Sequence, residues 1–188
     1  LFTNSTNLIA DVAEEIAPIL RKYCVLITKS TVPVGTSLEI KHRINKHNKN
    51  VSFDVVSNPE FLRDGSAIED FMRPNRVIIG HENEKSNKIL ENIYQPLNLI
   101  QTPILFTDLK SAELIKYASN AFLATKISFI NQMADLCESL NTDIHFISRG
   151  IGLDKRIGDK FLHPGPGYGG SCVPKDTIAL SKIASDNN

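Results

Sequence analysis

Residues 23–45, YCVLITKSTVPVGTSLEIKHRIN, decide the fold class. Tyr23-Cys24-Val25-Leu26-Ile27-Thr28 is short, apolar and without charge, the pattern of a strand buried on both faces of a sheet. Ser30-Thr31-Val32-Pro33-Val34-Gly35-Thr36 breaks that run, and Ser37 to Asn45 resumes as a helix. Upstream, Leu8, Ile9, Val12, Ile16, Ile19 and Leu20 recur at helical spacing, predicting an amphipathic helix over 8–22, capped by Asn7 and bent near Pro18. Downstream come apolar runs at Phe53–Val56 and Arg76–Gly80, a helical stretch from Glu84 to Tyr94, and a fourth run at Ile104–Phe106. Strands alternating with helices predict a layered α/β domain with a mostly parallel sheet.

From Ser111 to Leu140 the pattern changes. Leu114, Ile115, Ala118, Phe122, Ile127, Ile130, Met133, Ala134, Leu136 and Leu140 recur at helical spacing with no Pro or Gly among them. One long helix is expected, apolar over more than a narrow stripe and therefore packed on two sides, against the sheet and against another helix or subunit. After it the chain becomes turn-rich: seven of its ten glycines lie between Gly150 and Gly170, beside Pro164 and Pro166. Such crowding predicts a long ordered loop, a place where function concentrates.

Composition narrows the possibilities. The 188 residues, 41% hydrophobic and 22% charged, suffice for one compact domain or two small halves of one, against disorder or fibre. Lys plus Arg number 21 and Asp plus Glu 21, so the net charge is zero, with no global field for nucleic acid or anionic lipid. No apolar run approaches the roughly 20 residues that cross a bilayer, and Leu1–Thr6 lacks a secretion-signal pattern, so a soluble, cytoplasmic protein is expected and the Asn4-Ser5-Thr6 sequon carries no weight. Cys24, Cys137 and Cys172 are too scattered for a disulfide framework or zinc cluster. The five histidines show no ligand spacing, so no metal is expected. Leu1 stands where a start would have Met, which suggests an internal piece of a longer protein.

Four places could carry chemistry. In His163-Pro164-Gly165-Pro166-Gly167-Tyr168-Gly169-Gly170-Ser171-Cys172-Val173-Pro174-Lys175-Asp176, a thiol follows two glycines and precedes a helix start. A helix N-terminus or Lys175 would favour the nucleophilic thiolate at Cys172; alternatively Cys172 is a small buried apolar residue. Cys24 in a strand and Cys137 on an apolar helix side belong to the second kind. Gly165, Gly167 and Gly170 fit G-x-G-x-x-G, but no strand precedes them and Pro174 stands where the helix should already be running, so that match is spurious. After the second strand, Glu60 and Asp64 are four apart; one helical turn would put both on one face, as a general base or as carboxylates complementing a helix dipole. Ser30-Thr31, at a strand end, offers hydroxyls to a ligand or forms a turn. Lys116 and Asn120 share a face of the long helix, where they could stabilise an oxyanion or form a solvated edge.

The order and wording of four blocks resemble the nucleotide-sugar 6-dehydrogenases, the UDP-glucose/GDP-mannose dehydrogenase family. The blocks are Ser30–Thr36 (STVPVGT), Asn58–Asp70 (NPEFLRDGSAIED), Glu113–Glu138 (ELIKYASNAFLATKISFINQMADLCE) and Gly150–Leu180, which contains GPGYGGSCVPKD. The resemblance implies oxidation of a sugar primary alcohol to a carboxylate with two NAD⁺, and the wording of the last block favours UDP-glucose over GDP-mannose or a UDP-N-acetylhexosamine. It implies that Cys172 captures the aldehyde as a thiohemiacetal, which is oxidised to a thioester and hydrolysed. Lys116 and Asn120 match the family's oxyanion pair, Asp176 and Thr31 the residues that hold the catalytic water, and Glu60 the base of hydrolysis.

Binding residues follow by the same resemblance. Phe61, Leu62, Arg156, Phe161, Tyr168 and Gly169 match positions lining the nucleotide-sugar site along with Lys116 and Asn120. Thr31, Asp64 and Lys175 match positions near the nicotinamide, Asp64 standing where Glu is common. Arg156 resembles a residue that reaches into a partner's site, and the 111–140 helix would form the core of a homodimer. The implied organisation is the later part of a Rossmann-like NAD domain over 1–109 and a central helical domain with the cysteine loop over 110–188. The family's G-x-G-x-x-G strand turn and uridine-binding domain have no counterpart in the sequence, so the segment alone is expected to have little activity. A non-catalytic dimerisation module is the other class of reading.

Overall fold

A computed structural model describes residues 2–100, 102–170 and 172–187; Leu1 and Ser171, noted above, lie outside them. The chain forms two compact units, one ending at Lys116 and one beginning at Tyr117.

In the first unit α1 (Phe2–Ile16) starts well before the expected position, so Asn7 lies inside the helix rather than capping it. It ends at Ile16 and tightens into a 3₁₀ turn, Ala17–Ile19, instead of bending onward to Lys22. Pro18 is the cause, because it lacks an N–H and its ring clashes with the preceding turn. Then follow β1 (Cys24–Thr28), α2 (Thr36–His47), β2 (Phe53–Ser57), α3 (Ala67–Met72), β3 (Val77–Gly80), α4 (Glu84–Tyr94) and β4 (Ile104–Thr107). The short α3 carried no apolar periodicity to announce it.

The sheet has the order β1-β2-β3-β4. β1 with β2 and β3 with β4 are parallel, as expected, but β2 meets β3 antiparallel through one pair, Ser57 and Gly80. β1 is an edge strand, which corrects the expectation of burial on both faces: its residues are half-buried and Ile27 is exposed. Side chains alternate between two apolar cores, as the two-residue period of a strand requires. Val55 packs with Ala13, Ala17, Ile40 and Ile44 under α1 and α2, whereas Val56 packs with Val77, Ile79, Leu90 and Tyr94 under α4.

The long helix α5 runs Leu109–Leu140, two residues earlier than its apolar pattern indicated. Its first turn crosses β3 so closely that a Cβ on Gly80 would stand 2.6 Å from Ala112 Cβ and 2.8 Å from the Asp108 carbonyl oxygen. In the second unit α5 ends at Asn141 in the left-handed conformation (φ 55°), with the Thr142 N–H bonded to the Cys137 carbonyl at 2.9 Å. α6 (Ile144–Gly152) is capped by Asp143, whose carboxylate accepts the His145 N–H at 2.8 Å, and α7 (Val173–Asp186) begins with Pro174 in its first turn. Phe122, Phe129, Leu136 and Leu140 on α5 are exposed in the single chain. No helix among the described residues is long and apolar enough to cross a membrane.

Gly80→Ala should destabilise the protein by roughly 1–3 kcal/mol, since backbone as well as side chain would have to move. Gly150→Ala, within α6 and facing open space, should be neutral or stabilising by up to about 1 kcal/mol. Urea unfolding of the two variants checks the contrast.

Candidate active site

In the first unit the loop after β1 leads through Thr31, half-buried, to the N-terminus of α2. Gly35 takes φ 97°, a left-handed conformation that suits glycine, and the turn is closed by the Thr36 hydroxyl donating to the Pro33 carbonyl at 2.6 Å. After β2, Asn58 is fully buried: its Nδ2 donates to the Ile78 carbonyl at 2.7 Å, and its Oδ1 accepts from Tyr94 Oη and from Lys29 Nζ, the latter at 3.1 Å. This anchors the loop that carries Glu60, Phe61 and Leu62. Glu60 turns back on that loop, Oε2 accepting the Leu62 N–H at 2.6 Å, and presents Oε1 to Lys116 Nζ at 3.3 Å. Lys116 is only 3% exposed. Over the Phe61 ring sit the Arg76 guanidinium, 3.9 Å from the ring centroid, and the Lys116 ammonium at 5.3 Å. Burial pushes the Arg76 guanidinium down from its ordinary value.

The expected helical turn joining Glu60 to Asp64 does not form. Residues 58–63 have no regular structure, a turn follows, and α3 starts only at Ala67. Pro59 and Gly65, the latter at φ 82°, oppose a helix there. Asp64 is exposed in the turn, so no helical turn brings Glu60 and Asp64 onto one face and neither carboxylate stands at a helix N-terminus. The loop is held from its far side by Arg63, whose N–H, Nε and Nη2 all donate to Asp70 (2.9, 3.0 and 2.6 Å). Those bonds hold the Asp70 carboxyl below its ordinary value.

In the second unit Asn120 Nδ2 donates to Asp176 Oδ2 at 2.6 Å, joining α5 to the first turn of α7. Asp176 has no exposed surface, and its Oδ1 has no hydrogen-bond partner; Lys175 Nζ lies 3.9 Å away, an ion-pair distance. A buried carboxylate oxygen so placed calls for a water or a substrate proton. Cys172 is the N-cap residue of α7 and half-buried, which removes its reading as a wholly buried apolar residue. The loop before it is pinned at buried Leu162, whose carbonyl accepts from the Ser148 hydroxyl at 2.5 Å, and at Gly165, whose N–H donates to Asn131 Oδ1 at 2.9 Å. Beyond these pins Tyr168 and Gly169 are exposed, and Gly167 and Gly170 take positive φ. Phe161 is exposed at φ 63°, and Arg156 is turned outward with its guanidinium on Asp154 at 2.5 Å.

Lys116 and Asn120 thus sit on a protein-covered face of α5, Asn120 being 8% exposed, and the solvated-edge alternative falls away. Glu113, one turn before Lys116, is a further buried polar residue to which the sequence pattern assigned no role; so is Asn58 in the loop after β2, and half-buried Arg76 before β3 is another polar group without an assigned role. Glu113 and Asn58 stood inside the recognised blocks, but their importance lies in partners remote in sequence. Among the described residues no group of His, Cys, Asp and Glu is arranged to hold a metal ion.

Two family descriptions match this chain: residues 3–98 match the NAD binding domain of the UDP-glucose/GDP-mannose dehydrogenase family, and residues 110–188 its central domain. A UDP-glucose 6-dehydrogenase of Rhizobium meliloti (strain 1021) is 54% identical over 178 residues, which cover 94% of this chain and 41% of the relative. The solved structure of a UDP-glucose dehydrogenase from the archaeon Pyrobaculum islandicum is similar with a TM-score of 0.89 and 39% identity, over 95% of this chain and 41% of that one. A GDP-mannose dehydrogenase from Pseudomonas aeruginosa is similar with a TM-score of 0.75 and 31% identity, over 96% of this chain and 43% of that one. The chain therefore spans about two fifths of the length of these relatives.

Asn120→Ala should cost about 2–4 kcal/mol, because it strips a hydrogen bond from a carboxylate with no exposed surface. Asp176→Asn, which removes the charge and keeps an acceptor, should cost less; urea unfolding ranks the two. For Asp70, a depressed folded pKa means a stabilising contribution present above the unfolded value of about 4 and lost as pH falls through the folded value. Asp70→Asn should therefore flatten that part of the acid limb of stability, measured by unfolding as a function of pH.

Proposed function

Because the chain belongs to the UDP-glucose/GDP-mannose dehydrogenase family, we propose that it carries the thiol, oxyanion and base groups of an enzyme oxidising UDP-glucose to UDP-glucuronate. The observation that carries this reading is the buried Lys116 ammonium directed at Glu60 on the loop beyond β2. A scaffold that served only to dimerise would gain nothing from enclosing those charges, since burying them is costly.

The primary alcohol first loses a hydride from its carbon and the hydroxyl proton, giving the aldehyde. Cys172 Sγ then adds to the carbonyl carbon while its proton passes to the carbonyl oxygen, giving a thiohemiacetal. Loss of the remaining hydride from that carbon, with the hydroxyl proton passing to solvent, turns this into a thioester. Water, held by Asp176 and Thr31 and deprotonated by Glu60, adds to the thioester; the C–S bond breaks, the acid is released and Cys172 regains its proton. Lys116 Nζ and Asn120 Nδ2 stabilise the oxygen on which negative charge develops. NAD⁺, when bound, accepts the hydride of each oxidation. The parallel strands β1 and β2 end in the loops that bear Thr31 and Asp64, where doubly wound sheets take dinucleotides, so these two residues fit its nicotinamide end; Lys175 is assigned to the cofactor by its match to the family. Phe61, Leu62, Arg156, Phe161, Tyr168 and Gly169 line the sugar-nucleotide side.

Identity favours UDP-glucose over GDP-mannose, at 54% and 39% against 31% for the relatives named for each substrate. The exposed Phe122, Phe129, Leu136 and Leu140 support a homodimer through the 111–140 helix. The test is NADH formation from UDP-glucose by the 188-residue chain and by a form extended at both ends with the flanks of the Rhizobium meliloti relative. The extended form should turn over, the short chain should be nearly silent, and Cys172→Ala in the extended form should abolish acid formation. Turnover with GDP-mannose alone would overturn the substrate assignment, and full activity in Cys172→Ala would overturn the mechanism.

A further inference from the structure

Helix α2 begins without a cap of its own. Its N-cap residue is Gly35, which has no side chain to accept a hydrogen bond, and Glu39, the acidic residue of its first turn, is committed to Arg43 at 2.7 Å. The orphan N–H groups that open every helix must nevertheless be satisfied, all the more where they are covered by protein. Glu113 does this from 76 residues away: its Oε2 accepts the Gly35 N–H at 2.6 Å and its Oε1 the Ser37 N–H at 2.8 Å. Ser37 is the second residue of α2, the position an ordinary N-cap oxygen would serve. Glu113 is 2% exposed, and both its oxygens are used in short charge-assisted bonds.

These bonds attach the end of the loop that carries Thr31 to the helix that carries Lys116, three residues on from Glu113. One carboxylate therefore fixes the register between two segments bearing groups of the site. We infer that Glu113 is a positioning residue, holding the Thr31 loop and the start of α2 on α5 so that Thr31 and Lys116 keep a fixed relation. The catalytic consequence of this inference rests on the function proposed above; the mechanical one does not.

Two measurements test it separately. Amide hydrogen exchange on the 188-residue chain should show Gly35 and Ser37 protected in the wild type. Glu113→Gln, with one acceptor oxygen, should release one of the two amides; Glu113→Ala should release both, with β2 and β3 amides unchanged. In the extended form, Glu113→Gln should lower kcat for UDP-glucose by about 10- to 100-fold, the scale of a small misplacement, with KM for UDP-glucose changed less than about twofold. Unchanged protection in Glu113→Ala, or acceleration spread over the whole unit, would overturn the inference, and so would loop release with wild-type kcat. If the unsubstituted extended form shows no turnover, the proposed function fails while the exchange result still decides: acceleration confined to the loop supports the positioning role, and any other pattern overturns it.

Discussion

A lysine ammonium enclosed by protein has lost its water and must be answered by a carboxylate nearby; otherwise its burial would cost several kcal/mol. Lys116 is such a group, and Glu60 at 3.3 Å is its answer. The pair ties the first unit's contribution to α5 to the loop after β2, and that loop is in turn held at its root by buried Asn58 and at its far end by Arg63 and Asp70. Remove the ammonium and the loop loses the contact that gives Glu60 a direction. Remove Glu60 and a nearly sealed cation loses the carboxylate that faces it.

The same device recurs along α5. Within the first unit Glu113 and Lys116, three residues apart on α5, are each bonded to a segment remote in sequence, the start of α2 and the loop after β2. A helix with polar groups at such an interval can orient both loops, provided each polar group is satisfied. Within the second unit Asn120 bonds the first turn of α7 through Asp176. Asp176 is the exception that matters, because one of its buried oxygens has no hydrogen-bond partner. Such an acceptor suits a site that handles water or protons, whereas a purely structural carboxylate would be fully bonded.

The parts of this arrangement set by local sequence were legible. Apolar periodicity located the four strands, α2, α4 and α5 within a few residues, and the glycine crowding before Cys172 located the loop. What depends on partners far apart in sequence was not legible. The antiparallel joint between β2 and β3 rests on one residue pair, which leaves no pattern in either strand. The i, i+4 spacing of Glu60 and Asp64 suggested a helix that Pro59 and Gly65 prevent. Lys116 and Asn120 could equally have been a wet edge until their partners, each 56 residues away, were known. Glu113 carried no local signal of its role, because the missing cap it replaces belongs to another helix.

If the buried ammonium directs the loop after β2, Lys116 and Glu60 are energetically coupled. The most direct measurement is a double-mutant cycle on the stability of this chain with Lys116→Met and Glu60→Gln, Met keeping most of the lysine stem. With one partner buried and the other partly exposed, a coupling of about 1–3 kcal/mol is predicted, each single change costing more than it does in the absence of the other. Additivity within about 0.5 kcal/mol would contradict the account, since it would mean that the ammonium is balanced by something other than Glu60.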